Sequence, residues 1–288
     1  MKSKWVRNLG LAVMAISLSF GSISAASASS KLSGKIVING SSALLPLTLQ
    51  AANEFKKQNP KVKISASAAG SVTGPQAVRK GIADIGACDW DASTDVPGFS
   101  KFTGQVANKV AVIPFSAVAN SSSGVTDLST SQLQGIFSGK ITNWKEVGGK
   151  DQDIVVVNRA FGSGTRVNFQ LKALAGTDFM TKGSNYKEVK SSGDMKTAVE
   201  TTPGAIGYID LVYVSGSKMK PISINHVEPT AANVINGTYK VWSYGYYMTK
   251  GQPTGVVKAF IDYIQSAKFQ EGSLKKLKFI PLSAMKGK

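Results

Sequence analysis

The sequence repeats one local pattern, in which a short apolar run is followed by a turn of Gly and Ser and then by a helical pattern. Residues 35–39 form the first β-branched run, and Gly40, Ser41 and Ser42 follow it. Apolar residues then recur at helical spacing as far as Phe55. A chain that alternates strands and helices in this way is expected to fold as an α/β protein with mostly parallel strands.

The alternation continues along the rest of the chain. Further strands are predicted at residues 62–66, 83–87, 110–119, 154–158, 205–209 and 239–248. Helices are predicted at residues 45–58, 75–81, 129–137, 167–175 and 256–264. Ser41 or Ser42 is expected to cap the first helix, and Pro75 suits the first position of the second because Pro has no N–H to donate.

Similar strand–helix units lie far apart in the sequence, which favours two lobes joined by crossing strands. We expect lobe 1 to comprise residues 29–114 and 243–288 and lobe 2 to comprise residues 115–242. The last helix is then expected to return to lobe 1.

The first 28 residues have the pattern of an export signal. Lys2, Lys4 and Arg7 precede an apolar run at residues 9–23, and small residues follow at 26–28. The run is shorter than the roughly 20 residues that span a bilayer. Since no Cys lies near the cleavage pattern, we expect an exported protein at the cell surface or cell wall without a lipid anchor. The alternative is an uncleaved signal that acts as a weak anchor.

The scarcity of two residue types excludes much chemistry. The 288 residues include one Cys, Cys88, and one His, His226, so an intrachain disulfide and a thiolate–imidazole zinc site are excluded. No metal or cofactor is expected. The net charge is +17, and it falls to +14 without the signal, which holds three bases and no acid. This charge suggests attraction to an anionic cell-wall polymer, whereas a nucleic-acid partner is not expected.

Three Gly/Ser turns, at residues 40–42, 70–74 and 162–165, each follow a strand and open a helix. A helix N-terminus offers unpaired N–H groups and a partial positive charge, and both bind anions. Ser and Thr hydroxyls add donors, while Gly allows close approach to the backbone. Each turn alone is more simply a helix cap. Three on one α/β scaffold favour an anion site beyond the carboxyl ends of the strands.

Two charged residues refine this expectation. Arg159 precedes the third turn, where its guanidinium could bind a tetrahedral oxyanion through two parallel hydrogen bonds. Asp89 ends a strand, and its carboxylate could accept a hydrogen bond from an anion that keeps a proton but would repel fully ionised sulfate. The alternatives are a helix cap or ion pair for Asp89 and a surface ion pair for Arg159.

An ordered set of motifs resembles the phosphate-binding proteins of bacterial high-affinity phosphate ABC transporters. The set consists of Gly40-Ser41-Ser42, Gly70-Ser71-x-Thr73-Gly74, the segment 84–89, the segment 136–144, Arg159-x-x-Gly162-Ser163-Gly164-Thr165 and the segment 203–208. The resemblance covers essentially the whole mature chain. It implies a two-lobed periplasmic-binding-protein fold of type II, with mixed, mostly parallel sheets flanked by helices and the ligand in the interlobe cleft.

The resemblance also implies which residues bind phosphate. The implied contacts are Ser42, Ala43, Ser71, Asp89, Arg159, Ser163, Gly164 and Thr165, with Asp89 accepting the phosphate proton. One position departs from the family pattern: residue 161, often an acid that can pair with the arginine, is Phe161 here.

We therefore expect an extracytoplasmic, monomeric, non-enzymatic protein that closes on inorganic phosphate and delivers it to ABC permease subunits. One alternative is a receptor for another tetrahedral oxyanion such as sulfate or molybdate. A second is a phosphate-ester hydrolase, which would lack metal ligands and an activated nucleophile. A third, suggested by the net charge, is an adhesin or another wall-associated protein.

Overall fold

Nine of the eleven strands of residues 32–285, the part of the chain that the computed structural model describes, lie in one curled mixed sheet. The strands are β1 (Ser33–Gly40), β2 (Lys61–Ala68), β3 (Ile85–Cys88), β4 (Gln105–Ala119), β5 (Asp127–Leu128), β6 (Val155–Arg159), β7 (Tyr186–Val189), β8 (Ala205–Asp210), β9 (Lys220–Pro221), β10 (Ser223–Ile224) and β11 (Trp242–Lys250). The main order is β2-β1-β3-β11-β4-β8-β6-β7, with β9 also paired to β4, while β5 and β10 form a separate pair.

Helices cover the sheet. They are α1 (Leu45–Gln58), α2 (Thr73–Arg79), α3 (Thr130–Phe137), α4 (Gly164–Lys172), α5 (Ser192–Thr201), α6 (Ala231–Asn236), α7 (Gly255–Gln265) and α8 (Ala267–Phe269). Within residues 32–285, no helix is both long and apolar enough to cross a membrane. The export signal predicted at residues 1–28 lies outside the described residues.

One long strand crosses from the first half of the sheet to the second. The early part of β4 pairs antiparallel with β11, and residues 115–119 of the same strand pair antiparallel with β8. Parallel pairing lies on either side of this centre, where β1 pairs with β2 and β3, and β6 pairs with β7 and β8. The predicted α/β class and the crossing strands are thus confirmed, whereas the lobe boundaries stay a prediction.

Aromatic residues fill the core on both sides of the crossing strand. Phe55 of α1 packs edge-on against Phe260 of α7, with ring centroids 5.3 Å apart. The final long helix therefore packs against the first helix of the fold. In the second half, Phe169 of α4 stacks on Tyr208 of β8 at 4.5 Å. This stack fixes α4 against the strands whose ends carry the candidate site.

Several predicted boundaries were wrong. Helix α4 begins at Gly164 rather than residue 167, and β11 covers Trp242–Lys250 rather than residues 239–248. Pro75 is the third residue of α2, where the N–H groups of the first turn have no intrahelical partner in any case. The N-cap of α1 is Leu44, and no side chain caps it.

Candidate oxyanion-binding site

Two turns and one strand end bring the predicted residues of the first half together. The turn after β1 carries Ser42 and Ala43, the turn after β2 carries Ser71, and Asp89 follows β3 directly. Because β1 lies between β2 and β3 and all three run parallel, their carboxyl ends meet at one edge of the sheet. The second half supplies Arg159, which is the last residue of β6. It also supplies the N-terminus of α4.

All eight predicted residues are buried. Burial is unusual for the polar and charged ones among them. Their exposed fractions are 4% for Ser42, 1% for Ala43, Ser71, Asp89, Arg159 and Thr165, and 2% for Ser163, and Gly164 is also buried. An arginine and an aspartate buried to this degree need internal partners. The structure therefore excludes a surface ion pair for Arg159.

Hydroxyl groups of Ser41, Ser71 and Thr165 lie around the Asp89 carboxylate. Ser41 Oγ donates a short hydrogen bond to Asp89 Oδ1, and the Asp89 N–H donates to Ser71 Oγ at 3.1 Å. Burial raises the pKa of Asp89 to about 6, while the hydrogen bond from Ser41 and the charge of Arg159 act in the opposite direction. Asp89 is thus mostly ionised at neutral pH, and its carboxylate can accept a hydrogen bond from an oxygen that carries a proton.

The Arg159 guanidinium reaches across to the first half of the fold. Its Nη2 donates to Ser42 Oγ at 3.2 Å and to Lys190 O at 3.0 Å, and its Nη1 donates to Ser192 Oγ at 3.3 Å. Its Nε has no hydrogen-bond partner among the described residues. Burial lowers the pKa of Arg159, but an arginine stays charged at any physiological pH. Arg159 is therefore a permanent cation in the site, and within residues 32–285 its Nε–H group donates to no other residue.

The N-terminus of α4 lies against the turns of the first half. Ser163 caps the helix by accepting the Arg166 N–H at 3.2 Å. A Cβ at Gly164 would lie 2.3 Å from Ser71 Oγ and 2.6 Å from Asp89 Oδ2. Only glycine at this position allows the helix to approach so closely. The N–H groups of the first turn of α4 therefore lie next to the carboxylate and hydroxyls of the other half.

Further contacts hold the two halves of the cleft together. The Val72 N–H donates to Gly162 O at 3.0 Å, and Asn168 Nδ2 donates to Asp89 O at 2.9 Å. Phe161 is 73% exposed and stacks on Phe99 of the first half, with centroids 4.7 Å apart. Phe161 thus lies at the mouth of the cleft and takes no part in orienting the Arg159 guanidinium.

Three buried residues, Ser41, Ser192 and Asp210, and the half-buried Tyr213 were not predicted as site residues. Ser192 follows Ser191 and opens α5, so the Ser/Gly turn pattern that marked the other three turns could have identified it. Tyr213 Oη donates to Ser42 O at 2.9 Å, a contact that no local sequence pattern indicates. Within residues 32–285, no group of His, Cys, Asp and Glu side chains could hold a metal ion.

Comparisons with known proteins identify the family of this chain. A model of the PBP superfamily domain matches residues 25–268. The phosphate-binding protein PstS of Bacillus subtilis (strain 168) is 41% identical over 256 residues, which cover 89% of this chain and 83% of that protein. The chain belongs to the family of phosphate-binding proteins.

Another relative and two solved structures are also similar to this chain. The phosphate-binding protein PstS of Borreliella burgdorferi is 27% identical over 250 residues, covering 82% of this chain and 87% of that protein. The crystal structure of a putative phosphate ABC transporter substrate-binding protein from Clostridium perfringens, with bound phosphate, is 32% identical, covers 86% of this chain and all of that one, and has a TM-score of 0.78. An ABC-type phosphate transport receptor from Vibrio cholerae gives 27% identity and a TM-score of 0.65, over 85% of this chain and 99% of that one. The fold is that of the two-lobed type II periplasmic-binding proteins, with mixed sheets flanked by helices.

Proposed function

We propose that this protein captures inorganic phosphate in the cleft between its two halves and delivers it to the permease subunits of an ABC transporter. The proposal rests on one observation. Arg159, Asp89 and the N-terminus of α4 are buried together with the hydroxyls of two turns. The relatives named above as phosphate-binding proteins support the same ligand.

In this proposal the phosphate oxygens bind donors from both halves of the fold. Donors from the first half are the hydroxyls of Ser42 and Ser71 and the N–H of Ala43; those from the second half are the Arg159 guanidinium, the Ser163 and Thr165 hydroxyls and the N–H groups at Gly164 and Thr165. The anion exchanges its hydration shell for these fixed dipoles, and the exchange draws the halves together. Asp89 accepts the hydrogen bond of the protonated phosphate oxygen.

The choice of phosphate over sulfate or molybdate rests on Asp89. An ionised carboxylate without a proton to accept repels a fully ionised oxyanion, and in a buried site this costs several kcal/mol. Calorimetry with phosphate and sulfate tests the choice, and Trp90, which follows Asp89 and is 6% exposed, offers a fluorescence signal for the same titration. Tight sulfate binding without any phosphate heat would contradict the proposal.

Asp89→Asn provides the matched variant for this experiment. An amide can donate to a fully ionised oxygen, so the variant should bind sulfate while the wild type rejects it. Unchanged selectivity would count against the role of Asp89. Phosphate binding that survives high salt separates a specific site from the diffuse attraction expected of an adhesin.

We also propose that the protein acts without catalysis and as a monomer. Turnover of a chromogenic phosphate ester by the purified chain would support a hydrolase instead. Sedimentation velocity measures the oligomeric state, and a stable dimer would contradict the monomer.

We propose further that the chain is exported and that its excess of bases holds it near an anionic cell-wall polymer. The charge of +14 outside the first 28 residues supports this location. The test compares retention of the mature protein on isolated cell walls with that of a charge-neutralised surface variant. Equal retention would contradict the wall attraction but would leave phosphate capture unaffected.

A further inference from the structure

A cavity of about 600 Å³ lies beside the crossing strand β4, and none of the predicted phosphate contacts lines it. Its walls are mainly apolar, and the charged residues among them are Glu271, Lys275 and Lys278. Sites for small organic ligands have volumes of about 300–1,000 Å³ and combine apolar walls with a few polar groups. The cavity therefore has the size and lining of a second ligand site.

The walls of the cavity come from both halves of the fold. Ile280 lies in one wall, and its backbone exchanges hydrogen bonds with Val112, in the part of β4 that pairs with β11. Leu211 lies in another wall and directly follows β8, which pairs with residues 115–119 of β4. Pro114, between these two parts of β4, also lines the cavity. The shape of the cavity therefore depends on how the two halves are arranged.

A short 3-10 turn at Leu211–Tyr213 connects the cavity to the phosphate cleft. Leu211 and Val214, at the two ends of this turn, line the cavity. Tyr213, between them, donates from its Oη to Ser42 O at 2.9 Å, and Ser42 is a predicted phosphate contact of the other half. A ligand that holds Leu211 and Val214 in place therefore also favours the position of Tyr213 that bridges the cleft.

The charges at the cavity favour an anionic ligand. Lys275 forms a salt bridge with Glu271, so these two charges offset each other. Lys278 is exposed, and within residues 32–285 it forms no salt bridge. The local excess is one positive charge, which matches one negative charge on a ligand.

The backbone of Lys278 is unusual for a lysine. Its φ is +71°, in the left-handed region that glycine and asparagine adopt most readily. Its N–H donates to Lys275 O at 2.9 Å and so closes the preceding helical turn, a position where glycine is common. Glycine or asparagine would end this helix with less strain, so the helix end does not account for the lysine side chain.

We propose that the cavity binds an amphipathic organic monoanion, with an apolar chain of roughly ten carbons between its walls and the anionic group beside Lys278. The cavity is present while the halves are in contact across the cleft, so a ligand that fits it stabilises closure and slows phosphate release. Binding of the organic anion does not depend on the proposed function. Its effect on phosphate rests on that function.

Calorimetry with decanoate, a fatty-acid anion, tests the site in the absence of phosphate. The purified protein should bind decanoate with a dissociation constant below about 0.1 mM. Decanol should bind about three- to fivefold more weakly, and the cation decylammonium more weakly still. No decanoate binding, or equal binding of the three compounds, would overturn the proposal. A dimer that decanoate dissociates, detected by sedimentation velocity, would place a second copy of the chain at the cavity and would also overturn it.

Lys278→Asn removes the charge without straining the backbone. The variant should bind decanoate about three- to fivefold more weakly, bind decanol as the wild type does, and unfold at a temperature no lower than the wild type. Lys276→Asn is the matched control, since Lys276 is exposed but does not line the cavity, and it should leave decanoate affinity unchanged. Equal decanoate affinities in the two variants would overturn the proposal.

Ala284→Phe tests where the ligand binds, because Ala284 lines the cavity and the larger ring would fill part of it. Decanoate affinity should fall by at least about tenfold, while the variant still binds phosphate. Thermal unfolding verifies that the variant is folded. Wild-type decanoate affinity in the folded variant would overturn the assignment to this cavity, and if it does not fold, Lys278→Asn still decides.

Phosphate titration with and without decanoate tests the coupling. Saturating decanoate should tighten phosphate binding by about fivefold or more, and phosphate should tighten decanoate binding by the same factor, because coupling between two sites is reciprocal. Unchanged phosphate affinity, or competition between the two ligands, would overturn the coupling. Failure of the protein to bind phosphate under either condition would instead contradict the proposed function, while the decanoate experiments would still decide the second site.

Discussion

Asp89 combines complete burial with a charge at neutral pH, so its protonation is coupled to folding. Burial raises its pKa from 3.8 to about 6 in the folded protein. Between these values the folded state keeps a proton that the unfolded state has released. The resulting stabilisation is present below the ordinary pKa and is lost as the pH rises through about 6.

The pH dependence of unfolding measures this coupling. Relative to Asp89→Asn, the wild type should lose about 3 kcal/mol of unfolding free energy between about pH 3 and about pH 7. Denaturant unfolding of both proteins across this range gives the difference, in which the other titrating groups cancel. A difference that does not vary with pH would show that Asp89 has an ordinary pKa.

Arg159 is the only cation among the predicted phosphate contacts. Its removal leaves the anion and Asp89 without a charge partner in a buried site, so Arg159→Ala should weaken phosphate binding by about 2–5 kcal/mol. Arg79→Ala removes an exposed arginine at the end of α2 and should leave the affinity unchanged. A loss below about 0.5 kcal/mol at Arg159, measured by calorimetry, would contradict its role.

Site residues that lie in Gly/Ser turns or at strand ends beside them could be predicted from the sequence. Residues that only tertiary packing brings to the site could not. Asp89, Arg159 and the α4 turn all lie next to a strand end, and this position indicated them together with their charges, the Gly/Ser turn and the family resemblance. Asp210 also ends a strand, but β8 carries no Gly/Ser turn, and nothing local indicates that its carboxyl is buried without a partner. Tertiary burial, rather than local pattern, decides its chemistry.

Helix α4 can approach the first half of the fold only because its first residue is glycine. In Gly164→Ala the new methyl group would collide with Ser71 Oγ and Asp89 Oδ2, at 2.3 and 2.6 Å. Phosphate affinity should therefore fall by at least about tenfold while the fold persists.

Gly193→Ala is the matched control. Gly193 is the second residue of α5, and the nearest atom to an added Cβ there is Ser191 Oγ at 3.7 Å, an ordinary contact. Its affinity for phosphate should equal that of the wild type. Calorimetry compares the two variants, and equal affinities would show that the halves need not approach as closely as they do here.

Element boundaries were predicted less well than element types, because tertiary contacts extend the elements. Strand β4 begins at Gln105 rather than residue 110 because its polar side chains find partners in neighbouring elements. Gln105 Nε2 donates to Pro75 O at 2.7 Å, and Asn108 Nδ2 donates to Tyr247 O at 2.9 Å. Helix α4 includes Gly164 and Thr165, poor helix formers, because Ser163 caps it.

The molecule as a whole is closed across its cleft, and an aromatic pair at the mouth contributes to this state. An aromatic pair is worth about 0.5–1.5 kcal/mol beyond its buried area. Phe161→Ala removes the stack on Phe99, so it should weaken phosphate binding by about two- to tenfold, mainly through faster release. Stopped-flow fluorescence measures the release rate.

Ile82→Ala is the control for this variant. Ile82 is also a large, exposed apolar residue, at 66%, but it lies in the turn between α2 and β3. Its loss should not change the release rate. If Phe161→Ala releases phosphate no faster than Ile82→Ala does, the stack has no part in closure.

The overall class of the fold could be predicted from the sequence, but the order of its strands could not. Alternating strands and helices predicted an α/β protein, and the resemblance supplied two lobes. The path β2-β1-β3-β11-β4 brings β11 between strands that precede it by more than 100 residues. Such non-local pairing depends on the packing of the whole chain and leaves no local pattern.

The account depends on phosphate binding in the buried cluster between the two halves, and a crystal structure of the mature protein grown with phosphate tests this most directly. Density for a tetrahedral anion is predicted within hydrogen-bond distance of Asp89, Arg159 and the N-terminus of α4. Phosphate bound only elsewhere on the basic surface, with this cluster unchanged, would contradict the account.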